Sequence, residues 1–255
     1  MPTETDRAVS DVVGFVLVFA LITASVGVVT VAGLGGLQDA RNAERINNAE
    51  RAFEVLADNM RDVSRGGAPS RATEVKLAET TLTIGDSVDM NVTVSDSPET
   101  YPAAFRPIVF AAAGDSNAVT HGIVYEGGAV VRVDRDSAVM KRRPGFVFDE
   151  NRTVIHYTEP KASGTLRRSG TTTVLVRGER GAVRVLASRT VPASETVTMT
   201  VETTPRRTEA WERYLESAID WKANACSAAG DTVTCTFHTD RLSVTTTKIS
   251  VSLSE

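Results

Sequence analysis

The stretch DRAVSDVVGFV, residues 6–16, contains the start of a long apolar run near the amino terminus. Residues 12–38 carry no charged side chain, and as a helix they would measure roughly 40 Å at about 1.5 Å per residue. A bilayer core is crossed by about 20 apolar residues. The run therefore predicts one transmembrane helix at about residues 12–37.

A secretory signal peptide is the rival interpretation of this run. Such peptides have an apolar core of about 7–15 residues behind a positively charged leader. Here the leader MPTETDR holds Glu4 and Asp6 against Arg7 and the terminal amine, and no A-x-A site lies at the end of the run. The sequence therefore favours a helix that stays in the mature protein. Positively charged residues flank it on both sides, so its orientation stays open.

The composition indicates a folded body beyond the run. The chain has 255 residues, of which 42% are hydrophobic and 24% charged, and this balance is typical of a folded protein. A net charge of -4 provides no basic field for nucleic acid. We therefore expect no nucleic acid as a partner, while the apolar run predicts a membrane as one.

A second helical pattern follows at residues 46–63, and Gly66-Gly67-Ala68-Pro69 ends it. Its apolar residues recur at three- and four-residue spacing on one face. A short coiled coil is one explanation, but a one-sided helix needs only one packing partner, and the chain's own sheet is favoured. The apolar face consists of Ile46, Ala49, Phe53, Leu56, Met60 and Val63.

From residue 73 onward the pattern is mostly β. Short strands rich in Val and Thr, with frequent turn residues, favour an antiparallel sandwich or meander. Gly127-Gly128 predicts a tight hairpin, and residues 160–172 are either a long surface loop or a boundary between two β lobes. Strict alternation is seen in Val88, Met90, Val92 and Val94, in Val197, Met199 and Val201, and in Ile249, Val251 and Leu253. Further strand-like runs lie at 108–112, 153–157, 173–177 and 182–187.

One late helix interrupts the strands after Thr204-Pro205. Its apolar stripe consists of Trp211, Tyr214, Leu215, Ala218 and Ile219. The predicted fold is thus α+β: a long amino-terminal helix, first transmembrane and then amphipathic, followed by a β-rich antiparallel body with one short helix. The β-rich domain is assigned to residues 73–255.

No catalytic, cofactor or metal constellation is found, so we expect a protein that is not an enzyme and has no cofactor. G-x-S-x-G, Walker A and dinucleotide-binding motifs are missing, and the histidines lack the close spacing of zinc ligands. The acidic residues lack the spacing of a calcium loop, which favours a solvated surface. These residues are His121, His156 and His238, and Asp134, Asp136, Asp149 and Glu150. The basic runs Lys141-Arg142-Arg143 and Arg167-Arg168 are interpreted as solvated loop charges.

Two features indicate an exported body. Cys226 and Cys235 are the only cysteines, and a turn at Gly230-Asp231 would bring them into bonding range. A disulfide there persists only in oxidising surroundings, and two buried free thiols are the alternative. Asn91 and Asn151 begin N-glycosylation sequons, and Asn91 is the stronger candidate because the alternation turns it outward.

Arg7, Ala8, Val9 and Ser10 stand directly before the apolar run, and this order resembles the class III signal peptide of archaeal type IV pilins. A charged residue and a small residue precede two small or apolar residues in that pattern. The stretches RAVSDVVGFVLVFALI, ERINNAERAFEVLADNM, VYEGGAVVRVDR and EAWERYLES are similar to a group of pilin-like proteins from halophilic archaea. The similarity is strong over the leader and helix and loose over the β body.

The resemblance implies cleavage by a prepilin peptidase between Ala8 and Val9. The leader would be residues 1–8, and the helix 9–65 would remain as an anchor and then as the packed core of a filament. Asp11 departs from the usual archaeal motif, which often has proline there. The implied partners are the peptidase and other pilin-like subunits. The implied location is the cell membrane, with a single pass and an extracellular carboxy-terminal domain, and then a surface filament.

Three functions of different classes compete. The first is a pilin-like structural subunit, whose role in adhesion, motility or secretion stays open. The second is an uncleaved, membrane-anchored binding domain that does not polymerise. The third, an anchored or secreted enzyme, lacks any nucleophile, base or metal constellation in the sequence.

Overall fold

The computed structural model describes residues 4–112, 121–135, 137–164 and 166–255. Of residues 4–11, 34, 38, 39 and 112 only the backbone is described. The chain divides into two compact units, Met1–Asn47 and Asn48–Glu255. Helix α1 (Glu4–Ser64) begins in the first unit and ends in the second. The second unit, which we call the body, thus begins inside the predicted helix 9–65.

Within the described residues the body contains three sheets. The four-stranded sheet has the order β1-β11-β15-β9, the six-stranded sheet β10-β2-β5-β6-β7-β8 and the five-stranded sheet β13-β14-β12-β3-β4. Their strands are β1 (Ser70–Lys76), β2 (Thr80–Ile84), β3 (Val88–Val94), β4 (Thr100–Phe105), β5 (Ile108–Ala112), β6 (Gly122–Glu126), β7 (Ala129–Asp134), β8 (Ser137–Arg142), β9 (Thr153–Ala162), β10 (Arg167–Gly170), β11 (Thr173–Thr190), β12 (Val197–Glu202), β13 (Cys226–Ala229), β14 (Thr232–Phe237) and β15 (Arg241–Ser254). The α+β class is confirmed, and the strands form three sheets where an antiparallel sandwich or meander was expected.

The segment of α1 within the body packs through the predicted apolar face. Phe53, Leu56, Met60 and Val63 are all buried, and the rings of Phe53 and Phe110 on β5 meet edge to face at 6.4 Å. Burying four such side chains contributes several kcal/mol, at about 1.5–3 kcal/mol each. The helix ends where the glycine pair was expected, and Gly67 takes a φ of +81° that few other residues adopt.

Helix α2 (Pro205–Ala218) lies where the late helix was predicted, with Pro205 in its first turn. Trp211 and Leu215 on α2 and Ile219 just after it are fully buried in one large core. This core also receives the inward side chains of β3 and β12, so the alternations read from the sequence are confirmed. The β6–β7 hairpin turns at Gly127 and Gly128, both with positive φ.

Strand β15 packs on two different cores with its two faces. Leu242 and Val244 belong to the large core, whereas Ile249 lies with Met60 around Gly178. The crossover falls at Thr246 and Thr247, which follow each other and are both buried. The hydroxyl of Thr246 donates to Glu159 and that of Thr247 to the carbonyl of Ser64, at 3.2 Å for the latter. These two hydrogen bonds allow polar side chains to be buried on both faces.

Three expectations about the strands differ from the structure. The runs 173–177 and 182–187 are parts of one 18-residue strand, β11, whose register shifts after Arg180 and Val185 bend it. Residues 160–172 contain the end of β9 and all of β10, and Asn48–Glu255 is one compact unit. Arg167 and Arg168 therefore lie on a strand, not in a loop. Strands β15 and β9 pair in parallel, whereas the sequence favours an antiparallel sandwich or meander over a parallel sheet.

Candidate functional site

The first unit presents an apolar helix without a covering. Every side chain described at residues 12–33 and 35–37 is exposed, including Phe15 at 70% and Val31 at 76%. The best 18-residue window has a mean hydropathy of 2.7 and none of it is buried. Among the described residues this is the one helix long and apolar enough to cross a membrane. The structure thus supports membrane anchoring through the amino-terminal helix.

The few hydroxyl groups of this helix are satisfied by its own backbone. Thr23 donates to the carbonyl of Phe19 at 2.8 Å, and Ser25 and Thr30 make the same bond to the carbonyls four residues earlier, each at 2.7 Å. An unpaired hydroxyl in hydrocarbon costs several kcal/mol. These hydrogen bonds therefore make the helix suitable for apolar surroundings on every side.

Five glycines interrupt the apolar surface of this helix, and no close contact with another described residue requires them. A Cβ added at Gly14, Gly27, Gly33, Gly35 or Gly36 would meet no atom within 4 Å. Each glycine costs a helix interior about 1 kcal/mol relative to alanine. Small residues at four-residue spacing let helices of a membrane or bundle approach closely. Thr23 with Gly27, and Ala32 with Gly36, have this spacing.

The predicted cleavage motif lies in the first turns of α1. The backbone of Arg7, Ala8, Val9 and Ser10 is helical, while the side chains of these residues and of Asp11 lie outside those described. The structure therefore gives the position of these residues along the helix. Their recognition by a prepilin peptidase stays a prediction.

Acidic residues of α1 bind basic residues of two strands within the body. Glu50 lies 2.7 Å from Nζ of Lys141 on β8 and 3.3 Å from Nη1 of Arg132 on β7. Asp58 pairs with Arg142, also on β8. The interpretation of Lys141 and Arg142 as solvated loop charges is therefore wrong. Their acidic partners lie more than 80 positions away in the chain, so no local pattern indicated the pairing.

The carboxy-terminal end of α1 is held by further polar contacts. Asn59 donates to the hydroxyl of Thr73 on β1 at 2.9 Å, and Arg65 donates to the carbonyl of Gly145 at 2.7 Å. Burial, and then the charge of Arg61, lowers the pKa of Arg65. Together with the ion pairs of Glu50 and Asp58, these contacts fix the helix segment to the body along its length.

A disulfide joins Cys226 and Cys235, as the sequence predicts. The two residues face each other directly on β13 and β14, which are connected through Gly230 with a φ of +63°. Closing a loop of this size stabilises the fold by about 2–3 kcal/mol in the chain-entropy model. The bond fits a body that resides in an oxidising compartment.

The two sequons differ in accessibility. The more accessible sequon is not the one that the sequence favours. Asn91 lies in the middle of β3 between Thr200 and Pro102, and its Oδ1 is buried without a hydrogen-bond partner. Asn151 is exposed in the turn before β9, where its side chain donates to Asp149 at 3.1 Å. A glycan is more easily accommodated at Asn151.

The other candidate residues serve separate local roles. His121 lies 3.6 Å from Asp134, His156 bonds the hydroxyl of Thr245 at 2.7 Å, and His238 lies 3.0 Å from the carbonyl of Glu195. Asp149 accepts hydrogen bonds from Asn151, and these bonds lower the pKa of its carboxyl. Glu150 is exposed, and Asp136 lies outside the described residues. In the described part of the chain, no three His, Cys, Asp or Glu side chains are grouped to hold a metal.

A buried polar cluster at α2 was not indicated by the sequence. Glu126 at the end of β6 is fully buried and accepts hydrogen bonds from Thr203 at 2.7 Å and from the Trp211 indole at 2.8 Å. Arg207 lies 2.8 Å from its other oxygen. The Gly127-Gly128 turn next to Glu126 was the nearest available signal, and it predicts a hairpin only. The cluster attaches α2 to the sheet.

A model of a protein family matches residues 7–252, and its description is a family of unknown function (DUF7289). No curated protein and no solved structure matches the chain.

Proposed function

The chain belongs to this family of unknown function (DUF7289), and we propose that it is a pilin-like structural subunit of a surface filament. Its amino-terminal helix anchors it in the membrane before assembly and then packs against the helices of other subunits. The observation that supports this most directly is the bare apolar helix of residues 12–37, followed by a helix segment fixed to the body by ion pairs.

The exposed helix permits only two stable surroundings. At about 25 cal/mol per Å² of apolar area, leaving more than 20 apolar residues in water is prohibitive. Lipid covers the helix while the protein is in the membrane, but lipid gives no hydrophobic gain to helix pairing. Once the helix leaves the lipid, other helices must cover it. Its open glycines would allow those helices to come close.

Processing by a prepilin peptidase between Ala8 and Val9 is part of this proposal. Such a cut removes residues 1–8 and keeps the whole apolar helix, whereas a cut behind the helix would discard it. Mass spectrometry of the membrane-extracted protein tests this step, with a mature terminus at Val9 as the expected result. A terminus at Met1 or Pro2, or one beyond residue 30, would overturn it.

A monomeric, membrane-anchored extracellular binding domain is the alternative. It is favoured by the body itself, since Asn48–Glu255 is one compact unit with its own core and disulfide. The two functions differ in where the mature protein is found. A subunit appears in filaments sheared from cells, and an anchored domain stays wholly with the membrane.

A further inference from the structure

An arginine cleft opens where the strands β11, β15 and β9 come together at the start of β15. It has a volume of about 370 Å³ and is lined almost entirely by polar side chains. This volume lies at the lower end of the range for small-molecule pockets. The lining includes Arg152, Ser188, Arg189, Thr190, Arg241 and Ser243.

The sheet register brings two of these arginines side by side. Leu242 on β15 pairs with Thr153 on β9 in the parallel ladder, so Arg241 and Arg152 stand next to each other one position earlier. On the other side of β15, Thr190 pairs with Arg241 and Ser188 with Ser243. Two guanidinium groups and three hydroxyl groups thus converge on one end of the sheet.

Arg152 and Arg241 have no ion-pair partner among the described residues. Both side chains are exposed and neither forms an ion pair or side-chain hydrogen bond with another described residue. Asp240, directly before Arg241, lies 3.6 Å from Nε2 of His238. Arg189 is committed to Glu195 at 2.8 Å and forms a wall of the cleft.

Like charges on neighbouring strands destabilise a sheet. Two other arginines of the body are paired with acidic side chains, Arg142 with Asp58 and Arg207 with Glu126. An oxoanion would remove the repulsion, because guanidinium groups match the geometry of carboxylate and sulfate oxygens. The hydroxyl groups would supply additional donors to the same ligand.

We propose that this cleft binds an oxoanion, a carboxylate or sulfate group carried by one small molecule or one acidic sugar residue. The proposal does not depend on filament assembly, since the residues involved belong to the body alone. The position beside an exposed turn leaves the ligand free to extend into solvent.

Calorimetric titration of the full-length, detergent-solubilised protein tests the proposal, with sodium glucuronate and sodium sulfate as probes. The protein is made in a host that leaves Asn151 unmodified, and the ionic strength is kept low because salt screens exposed charges. We expect saturable binding, weakened about tenfold or more by Arg152→Ala and by Arg241→Ala, since each removes charged hydrogen bonds.

Arg184→Ala is the matched control, because Arg184 is exposed on β11 and does not line the cleft. It removes the same charge and should leave binding unchanged. Tighter glucuronate binding identifies a carboxylate as the preferred oxoanion, and tighter sulfate binding identifies a sulfate group. The proposal is overturned if neither probe binds at about 10 mM, because this concentration is ten times the Kd of about 1 mM that a weak site would have. It is also overturned if both arginine variants bind as the unmodified protein does.

Discussion

Glu126 and Arg207 form an ion pair inside the body, with 2.8 Å between Oε2 and Nε and both side chains at least 95% buried. Arg207 also donates to the hydroxyl of Thr203 at 3.0 Å, and Thr203 in turn donates to Glu126. Trp211 completes the set through its indole N–H. The first two turns of α2 are thereby attached to the end of β6 by groups that are almost completely buried.

Removing the acidic partner should be strongly destabilising. Glu126→Ala leaves the Arg207 charge buried and unpaired, for which we expect a loss of about 3–5 kcal/mol in the free energy of unfolding. Glu209→Ala is the control, because its pair with Arg213 is exposed on the same helix and should contribute less than about 1 kcal/mol. Urea unfolding followed by tryptophan fluorescence measures both. Equal losses in the two variants would contradict the role of the buried pair.

The disulfide gives a second prediction. Cys226→Ser together with Cys235→Ser should lower the free energy of unfolding by about 2–3 kcal/mol, because the open loop gains freedom in the unfolded chain. Alkylation without reductant should label neither cysteine in the native protein. Full labelling of both thiols would show that the bond does not form.

Local periodicity explains why much of the fold could be predicted. The spacing of Phe53, Leu56 and Met60 fixes the buried face of α1, and the alternation in β3 and β12 fixes their inward side chains. Each pattern spans fewer than 20 residues. The crossover of β15 at Thr246 and Thr247 has no such signal. Two adjacent threonines give the same sequence pattern whether one or both of them are buried.

The polar contacts of the body depend on residues far apart in the chain. Lys141 and Glu50, or Glu126 and Arg207, are brought together by strand order. A single sequence contains no period that links them, so the ion pairs at α1 and the arginine cleft were found only in the structure. The apolar helix and the disulfide were predictable because each signal is contained in a short segment.

The stability of the body should depend on His156 below neutral pH. Burial lowers the pKa of this imidazole from 6.5 to about 4, and the charges of Arg65 and Arg180 contribute. The unfolded chain binds a proton below pH 6.5 and the folded chain does not until about pH 4. Stability therefore falls as the pH falls through this window.

Unfolding measured at several pH values checks this dependence. We expect the histidine to account for about 1–2 kcal/mol between pH 6.5 and 4, less than the full shift implies because the residue is half-buried. His156→Gln should flatten the profile in this window. The Asp149 carboxyl, whose pKa is lowered from 3.8, acts below it and leaves the comparison unaffected. An unchanged slope in the variant would refute the assignment.

Glycosylation should favour Asn151 over Asn91. Asn151 is exposed in a turn, whereas Asn91 lies within a central strand with its Oδ1 buried. Peptide mass spectrometry of protein from a glycosylating source should find glycan at Asn151 and little at Asn91. Asn151→Gln should then remove most of the added mass. Full occupancy of Asn91 with a bare Asn151 would reverse this order.

Gly27 provides the sharpest test of assembly through the helix. An added Cβ there meets no atom of the chain within 4 Å, so a larger side chain causes no clash within the subunit. Gly27→Leu keeps the segment apolar and improves its helix propensity by up to about 1 kcal/mol. Gly27→Arg instead costs about 2.5–3.5 kcal/mol near the centre of a membrane helix. The two variants therefore separate membrane insertion from helix packing.

If neighbouring helices approach each other closely at Gly27, both variants should be missing from sheared surface filaments. The leucine variant should still reach the membrane at the normal level, and the arginine variant should not. Gly27→Ala is the control, because it keeps a small side chain and should assemble normally. Sheared and membrane fractions are compared by immunoblotting, with immunogold labelling of the cells. Normal assembly of the leucine variant would exclude close packing at this position. A parent protein that never enters the sheared fraction would favour the anchored binding domain, because its helix would then remain covered by lipid alone.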